Sequence, residues 1–428
     1  MYQFDYELFF ACLAGFSLFY PLFMSYFWIE GSVIYFLKYE HKKPGFREIP
    51  DLPSYPMVTV MVPCFNESFN VIDTIHAVNC SLYPNFEIIA VNDGSQDNTL
   101  EVLHGLQKSI SRLRVVNLAT NQGKATGLNS ALLAAKGEIL VCIDGDSIMD
   151  KHAIHWFVKH FLNSPRCGAV TGNPRVRTRS TLLGRIQVGE FSAIIGMLKR
   201  AQSMIYGSLF TISGVICAFR KSALESIGGW YKDIQTEDIE ISWKLQLENW
   251  DVEFEPRSLC WVLMPEMLKG LVRQRARWAF GGAETFKRYL PAILRWKNRH
   301  MWAMCFEYSV SVAWCYTVLL LMTIWVLSIC GVNVGGVQAF SWNPKGPGLV
   351  LGMTCLVQFL VSMKMDSRYD YKLMPVYFAT VWYPLIYWLM NCLITAYTFP
   401  KAVFFTKAGS GKWVSPDRGI HLEAKKAA

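Results

Sequence analysis

The sequence predicts an α/β protein: a doubly wound, mainly parallel sheet domain embedded between transmembrane helices, with amphipathic helices where the two meet. Three observations predict it. Between residues 57 and 173 short β-branched runs recur, and helix-patterned segments separate the first four, the alternation of a parallel sheet. Four other segments are apolar over roughly the 20 residues that a helix needs to cross a hydrocarbon core about 30 Å thick. The composition agrees, with 52% hydrophobic residues and 15 tryptophans in 428 residues, enough for a large core and for apolar surface against lipid.

The first apolar segment, 8–29, follows Asp5 and Glu7 and carries no small-residue cleavage site, so it reads as a retained anchor and not a signal peptide. Lys38, His41, Lys42 and Lys43 come after it, which by the positive-inside rule puts the next stretch in the cytoplasm and the amino terminus outside. The strand runs follow: MVTVMVP (57–63), FEIIAVND (86–93), LRVVNL (113–118), EILVCIDGD (138–146) and CGAVTGN (167–173). The remaining apolar segments are 305–330, 348–363 and 375–399. Three further crossings would leave the tail outside, yet it carries Lys401, Lys407, Lys412, Arg418, Lys425 and Lys426, so one segment is expected to be re-entrant or interfacial. The shortest, 348–363, is the suspect.

A net charge of +9 raises the question of nucleic acid. Lys and Arg crowd beside apolar stretches and form no separate basic domain, which points instead to lipid headgroups. The 12 cysteines show no CxxC pair and no interleaved histidines, against a disulfide framework or a zinc site and in favour of reduced thiols.

Ligands of doubly wound sheets bind beyond the carboxyl ends of the strands, and that is where these runs stop in polar residues. Asn66 and Glu67 follow the first, Asp93 ends the second, and Asp144 and Asp146 end the fourth. Two carboxylates at the end of a buried strand repel each other, so a bound cation is the economical explanation; Mg2+ or Mn2+ suits all-oxygen ligands and shares its shell with a diphosphate. Asp93 is a candidate for a nucleotide's base or ribose. Gly123 and Lys124, at a helix start, suit phosphate.

On a helix over 234–248, Ile234, Asp238, Ile241 and Leu245 form one stripe. Glu237, Glu240, Lys244 and Glu248 form the opposite face, with Glu240 and Lys244 at favourable i,i+4 spacing. Asp238 therefore points inward, where desolvation raises a carboxylate's pKa and suits it to general base work. Residues 268–284 read as a basic amphipathic helix close to the membrane, with Gln274, Arg277 and Trp278 on a shared face for diphosphate and sugar. Lys269 and Arg273 read as snorkelling residues, and 288–300 as a second interfacial segment.

Taken together, NDGS with Asp93, the DxD of Asp144 and Asp146, TED with Asp238, and QxxRW with Gln274, Arg277 and Trp278 resemble the hallmarks of the processive, inverting glycosyltransferases that build cellulose, chitin, hyaluronan and poly-N-acetylglucosamine. VTGNPRVRTRSTLLGRIQVGE, ISWKLQLENW and KWVSPDRGI are most similar to the bacterial branch making β-1,6-linked poly-N-acetylglucosamine. The resemblance implies the GT-A fold, a UDP-N-acetylglucosamine donor, a divalent cation, extrusion of the growing polysaccharide through the synthase's own channel across the cytoplasmic membrane, and a small membrane accessory subunit. It also implies regulation by cyclic di-GMP, with Arg175, Arg177 and Arg179 as candidates. Glu237, and Ser213 and Gly214 of FTISGV, are expected near the acceptor, and Glu67 near the nucleotide sugar. The implied division is anchor 1–45, catalytic domain 46–265, interface helices 266–303, channel helices 304–400 and basic tail 401–428. A hyaluronan- or chitin-type polymerase, a transferase adding one sugar to a lipid carrier, and a transporter with a nucleotide-sensing domain are the alternatives. The chain lacks the additional spans and the carboxyl-terminal nucleotide domain of cellulose synthases.

Overall fold

The computed structural model describes residues 6–332 and 346–405. Five tail positions singled out above, Lys407, Lys412, Arg418, Lys425 and Lys426, lie outside the described residues.

The strands β1 (Val58–Cys64), β2 (Phe86–Asp93), β3 (Leu113–Leu118), β4 (Ile139–Ile143), β5 (Ile148–Met149), β6 (Cys167–Val176), β7 (Ile216–Arg220) and β8 (Asp251–Val262) form one sheet in the order β3-β2-β1-β4-β7-β6-β8-β5. The first four in that order are parallel, joined by α2 (Val71–Asn79), α3 (Thr99–Ser109) and α4 (Lys124–Ala134). β1, β2 and β4 are buried along their whole length, as strands covered on both faces must be, which explains their unbroken apolar runs.

The sequence reading missed β7 and β8. β7 enters antiparallel between β4 and β6, and β8 pairs parallel with β6, so the second half of the sheet is mixed. The α5 (Ala153–Asn163) and α8 (Lys221–Ser226) helices complete its packing.

Between β6 and β7 the chain leaves the sheet as α6 (Leu182–Glu190), a π-helical turn, and α7 (Leu198–Ile205). After β7, α9 (Glu237–Leu247) precedes β8. Next comes α10 (Leu268–Ile293), one helix of 26 residues that runs through Pro291. The second interfacial segment expected at 288–300 is thus the last turn of α10 and a short 3-10 turn, Trp296–Met301.

Among the described residues, four helical segments are long and apolar enough to cross a membrane: Leu8–Glu40, Trp296–Ile329, Pro347–Asp366 and Met374–Phe405. They are built on α1 (Tyr6–Tyr35), α11 (Trp302–Ile329), α12 (Pro347–Asp366) and α13 (Trp388–Pro400). The first three each meet the sheet domain at one end. The Tyr35 hydroxyl of α1 donates to the Phe254 carbonyl at 2.8 Å, Trp302 starts α11 against α10 by donating to the Ile293 carbonyl at 2.7 Å, and Asp366 ends α12 beside Arg200 at 2.8 Å.

The fourth departs from this pattern. Its lead-in, Asp370, pairs with Arg179, and Thr380 packs against Gly189 of α6. At its far end Ala402 is buried against Phe280 and Ala283 of α10, and Lys287 of α10 donates to the Ala402 carbonyl at 3.5 Å. Both ends therefore contact elements next to the sheet domain. The suspicion of re-entry fell on 348–363, which lies within α12, a helix of 20 residues; Met374–Phe405 is the segment whose two ends both meet elements next to the sheet domain.

Candidate active site

β4 delivers Asp144 and Asp146 into a cavity of about 460 Å³, within the size range of ligand pockets. Gly145 between them is dictated by close approach: a Cβ there would stand 3.2 Å from Glu67 Cγ and 3.2 Å from the Pro63 carbonyl oxygen. The loop therefore nests against the end of β1.

Lys124, the first residue of α4, joins two walls of the cavity. Its Nζ stands 2.7 Å from Asp144 Oδ1 and 2.9 Å from Glu237 Oε1, and donates to the Gly214 carbonyl at 3.2 Å. Burial would lower its pKa, but the two carboxylates hold the ammonium well above the usual lysine range. Burial raises Asp144, with Lys124 opposing and Asp146 adding to the rise.

Asp93 stands behind this lysine. It is fully buried; Oδ1 accepts the Gln122 N–H at 2.9 Å and Oδ2 the Gly123 N–H at 2.8 Å, fixing the turn from which Lys124 projects. Burial raises its pKa against those two donors. Glu67 is also buried behind the cavity wall, where it accepts from Asn70 Nδ2 at 3.2 Å and backs Gly145. Lys124, Asp144, Asp146, Ser213, Gly214, Glu237, Asp238, Gln274, Arg277 and Trp278 all line this cavity.

From the opposite side α9 contributes Glu237 and Asp238. Asp238 Oδ2 accepts the Gly214 N–H at 3.3 Å, and a Cβ on Gly214 would lie 3.1 Å from that oxygen, so glycine permits the approach. Burial pushes Asp238 up to about 6, Glu237 adding to the rise while Lys124 and Arg277 oppose it. Burial pushes Glu237 up as well, but Lys124 and then Arg277 outweigh it and hold its carboxyl below the usual range.

The expected division of α9 needs correction on one face. Ile234 precedes the helix, and the predicted polar face is not solvated: Glu240 accepts from the Tyr289 hydroxyl of α10, and Lys244 donates to the Gly229 carbonyl at 2.8 Å. Packing of α10 over this face replaced the anticipated i,i+4 pairing.

α10 supplies Gln274, Arg277 and Trp278 to the cavity. Arg275 between them turns away to an ion pair with Glu190 of α6, and its guanidinium lies 4.2 Å from the centroid of the Trp278 ring. That contact fixes the indole. Lys199 of α7, which sequence reasoning passed over, also lines the cavity and donates to Thr171 Oγ1 at 2.8 Å and Ser213 Oγ at 2.6 Å. Burial pushes its pKa down to about 7, the nearby Asp238 opposing. Nothing in its local sequence, an amphipathic lysine beside an arginine, distinguishes it.

The three arginines do not form one ligand-binding face. Arg175 is buried and bonded to Asp366, Asn173 and Ser192; Arg179 pairs with Asp370; Arg177 alone is exposed.

Among the described residues no group of three or more His, Cys, Asp or Glu gathers around a metal position. Asp144 and Asp146 nevertheless suit a hard cation that takes its remaining ligands from a substrate diphosphate and water. The ammonium drawn against Asp144 reflects the same concentration of negative charge.

A family model described as "Glycosyltransferase like family 2" matches residues 56–281. The chain is 39% identical over 411 residues to a poly-β-1,6-N-acetyl-D-glucosamine synthase of Staphylococcus epidermidis, covering 95% of this chain and 98% of that protein. It is 37% identical over 410 residues to the protein of the same name from Staphylococcus aureus strain COL, again over 95% and 98%. Its structure is similar to that of a mannosyltransferase from Pyrobaculum calidifontis in complex with GDP-Man and Mn2+, with a TM-score of 0.61, 20% identity, and coverage of 89% of this chain and 99% of that one. At that identity the likeness speaks for the GT-A fold alone.

Proposed function

The chain belongs to glycosyltransferase family 2, and from that premise we propose that it polymerises N-acetylglucosamine from UDP-N-acetylglucosamine into a β-1,6-linked exopolysaccharide and passes the product across its membrane. The observation that carries the reading is the single cavity, which runs from the Asp144–Asp146 pair past Asp238 and Trp278 to Glu307, Tyr308 and Ser311 of α11. A transferase adding one sugar to a lipid carrier has no need of that continuity.

Asp93 and Glu67 act on the nucleotide end from behind, by holding the Lys124 turn and the DxD loop. Asp146, with Asp144, would hold Mg2+ or Mn2+, which when bound neutralises the donor diphosphate. Asp238 takes the proton from the acceptor's primary hydroxyl. The oxygen attacks the donor's anomeric carbon, the bond from that carbon to the diphosphate breaks, and the centre inverts. Arg277 and Lys124 meet the charge that develops on the leaving diphosphate, which stabilises the transition state more than the ground state. Trp278 stacks on the acceptor sugar, and Gln274, Glu237 and the Ser213–Gly214 turn orient it. An Asp238 held near 6 by burial is largely ionised at neutral pH, as a base must be.

The reading places the sheet domain on the cytoplasmic side of a bacterial membrane. α1, α11 and α12 cross it, and Met374–Phe405 enters and returns. This course puts Lys401 on the same side as Lys38, Lys42 and Lys43, in keeping with the positive-inside rule. The outward Phe19, Phe23 and Tyr26 of α1 offer a seat to a small membrane accessory subunit.

Membranes containing the chain, given labelled UDP-sugars one at a time with Mg2+ or Mn2+, test the assignment. We expect polymer from UDP-N-acetylglucosamine, cleaved by a β-1,6-specific hydrolase. Preference for UDP-glucose or UDP-glucuronate would overturn the sugar and leave the reaction class standing.

A further inference from the structure

We propose that Glu307, on α11, binds saccharide: with Gln202, Tyr308 and Ser311 it forms a second acceptor subsite that grips the sugar behind the reacting one through its hydroxyl and acetamido N–H groups. The inference rests on the polymerase reading above and extends the same cavity.

α11 has 28 residues and Glu307 is its one charged side chain. A carboxylate within a membrane helix is costly to bury and is kept where it faces polar groups or a water-filled path. Glu307 lines the same cavity as Asp144 and Asp146, and Ser311, one turn further along α11, lines it too. The polar side chains that act on it electrostatically are Tyr206 and Gln202, both neutral; among the described residues no Lys or Arg forms an ion pair with it. Two neutral neighbours leave the carboxyl group with acceptor capacity to offer a ligand. Gln202 is itself fixed, its Oε1 accepting the Phe210 N–H at 3.1 Å, so the polar cluster is ordered before a ligand arrives.

The walls fit the same ligand. Phe210 and Tyr308 stack with ring centroids 5.4 Å apart and 27° between planes, and both line the cavity. An aromatic wall beside a carboxyl group presents one surface for the apolar face of a pyranose and one for its hydroxyl and amide donors. A phosphate-bearing ligand finds no Lys or Arg paired with Glu307, whereas Lys124 and Arg277 line the cavity together with Asp144 and Asp146. The donor therefore belongs at the Lys124 end and the neutral polymer at the Glu307 end.

The test is binding of a β-1,6-linked N-acetylglucosamine pentasaccharide to the purified full-length chain and to its Glu307→Gln variant, with UDP binding measured on the same samples as a check of folding. Loss of the carboxyl group should weaken pentasaccharide binding about tenfold. The mean product length should fall by a comparable factor relative to the UDP released. Pentasaccharide binding equal to that of the unmodified chain would overturn the subsite. Should Glu307→Gln lose UDP binding through misfolding, Ser311→Leu reads the same passage by obstruction, and unchanged product length there would equally overturn it. An unmodified chain that makes no polymer from UDP-N-acetylglucosamine would instead refute the polymerase reading.

Discussion

Lys124 Nζ lies 2.7 Å from Asp144 Oδ1 and 2.9 Å from Glu237 Oε1, so one ammonium ties the end of β4 to the start of α9. The same lysine holds the Gly214 carbonyl, whose N–H is bonded to Asp238. The proposed nucleotide end and the proposed base are thus joined through one side chain. Lys124→Met should lower kcat/KM by about 10- to 100-fold, the scale of a lost charged hydrogen bond of roughly 1.5–3 kcal/mol. Steady-state UDP release at varied donor concentration measures it.

As the proposed base, Asp238 must be ionised to accept a proton. With its pKa pushed up to about 6, kcat should rise with pH through 6, level off above it, and be lost as pH falls below. Asp238→Asn should remove that limb and about 10²- to 10⁴-fold of the rate while UDP still binds. A pH–rate profile beside a nucleotide-binding isotherm checks both.

Arg200 is fully buried between Glu40 at the end of the first membrane helix, 2.6 Å away, and Asp366 at the end of α12, 2.8 Å away. Arg200→Met should cost about 3–5 kcal/mol because it leaves two buried carboxylates without their shared cation. The exposed Arg166–Asp251 pair is a fair control, since removing it should cost about 0–1 kcal/mol. Thermal melting in detergent compares the two.

The course of Met374–Phe405 predicts that Lys401→Cys, in a background without other cysteines, reacts with an impermeant maleimide from the same side as Lys42→Cys. A crossing helix would place the two on opposite sides. Labelling of sealed vesicles of both orientations distinguishes them.

Much of this was legible beforehand because the parallel half of the sheet is built from contiguous buried runs, each ending in its own polar residue. β7 escaped because ICAFR (216–220) is short and ends in an arginine, and β8 because DVEFEPRSLCWV carries charges and a proline along its length. The site motifs were readable one by one; their pairings were not. Lys124 read as a phosphate ligand with no sign that Glu237, far along the chain, would share it. Glu240 and Lys244 read as a matched surface pair because periodicity along α9 says nothing of what α10 lays over it. Hydropathy marked Met374–Phe405 as apolar, and only its packing against α6 and α10 records its course.

The central claim is that one cavity carries both the transfer and the start of the exit path. Its most direct test is purified chain in sealed proteoliposomes, catalytic domain outward, supplied with labelled UDP-N-acetylglucosamine and Mg2+. The account predicts long labelled chains that an external β-1,6-specific hydrolase trims only after the vesicles are opened. Label confined to single sugars on lipid, or polymer fully open to the hydrolase from outside, would contradict it.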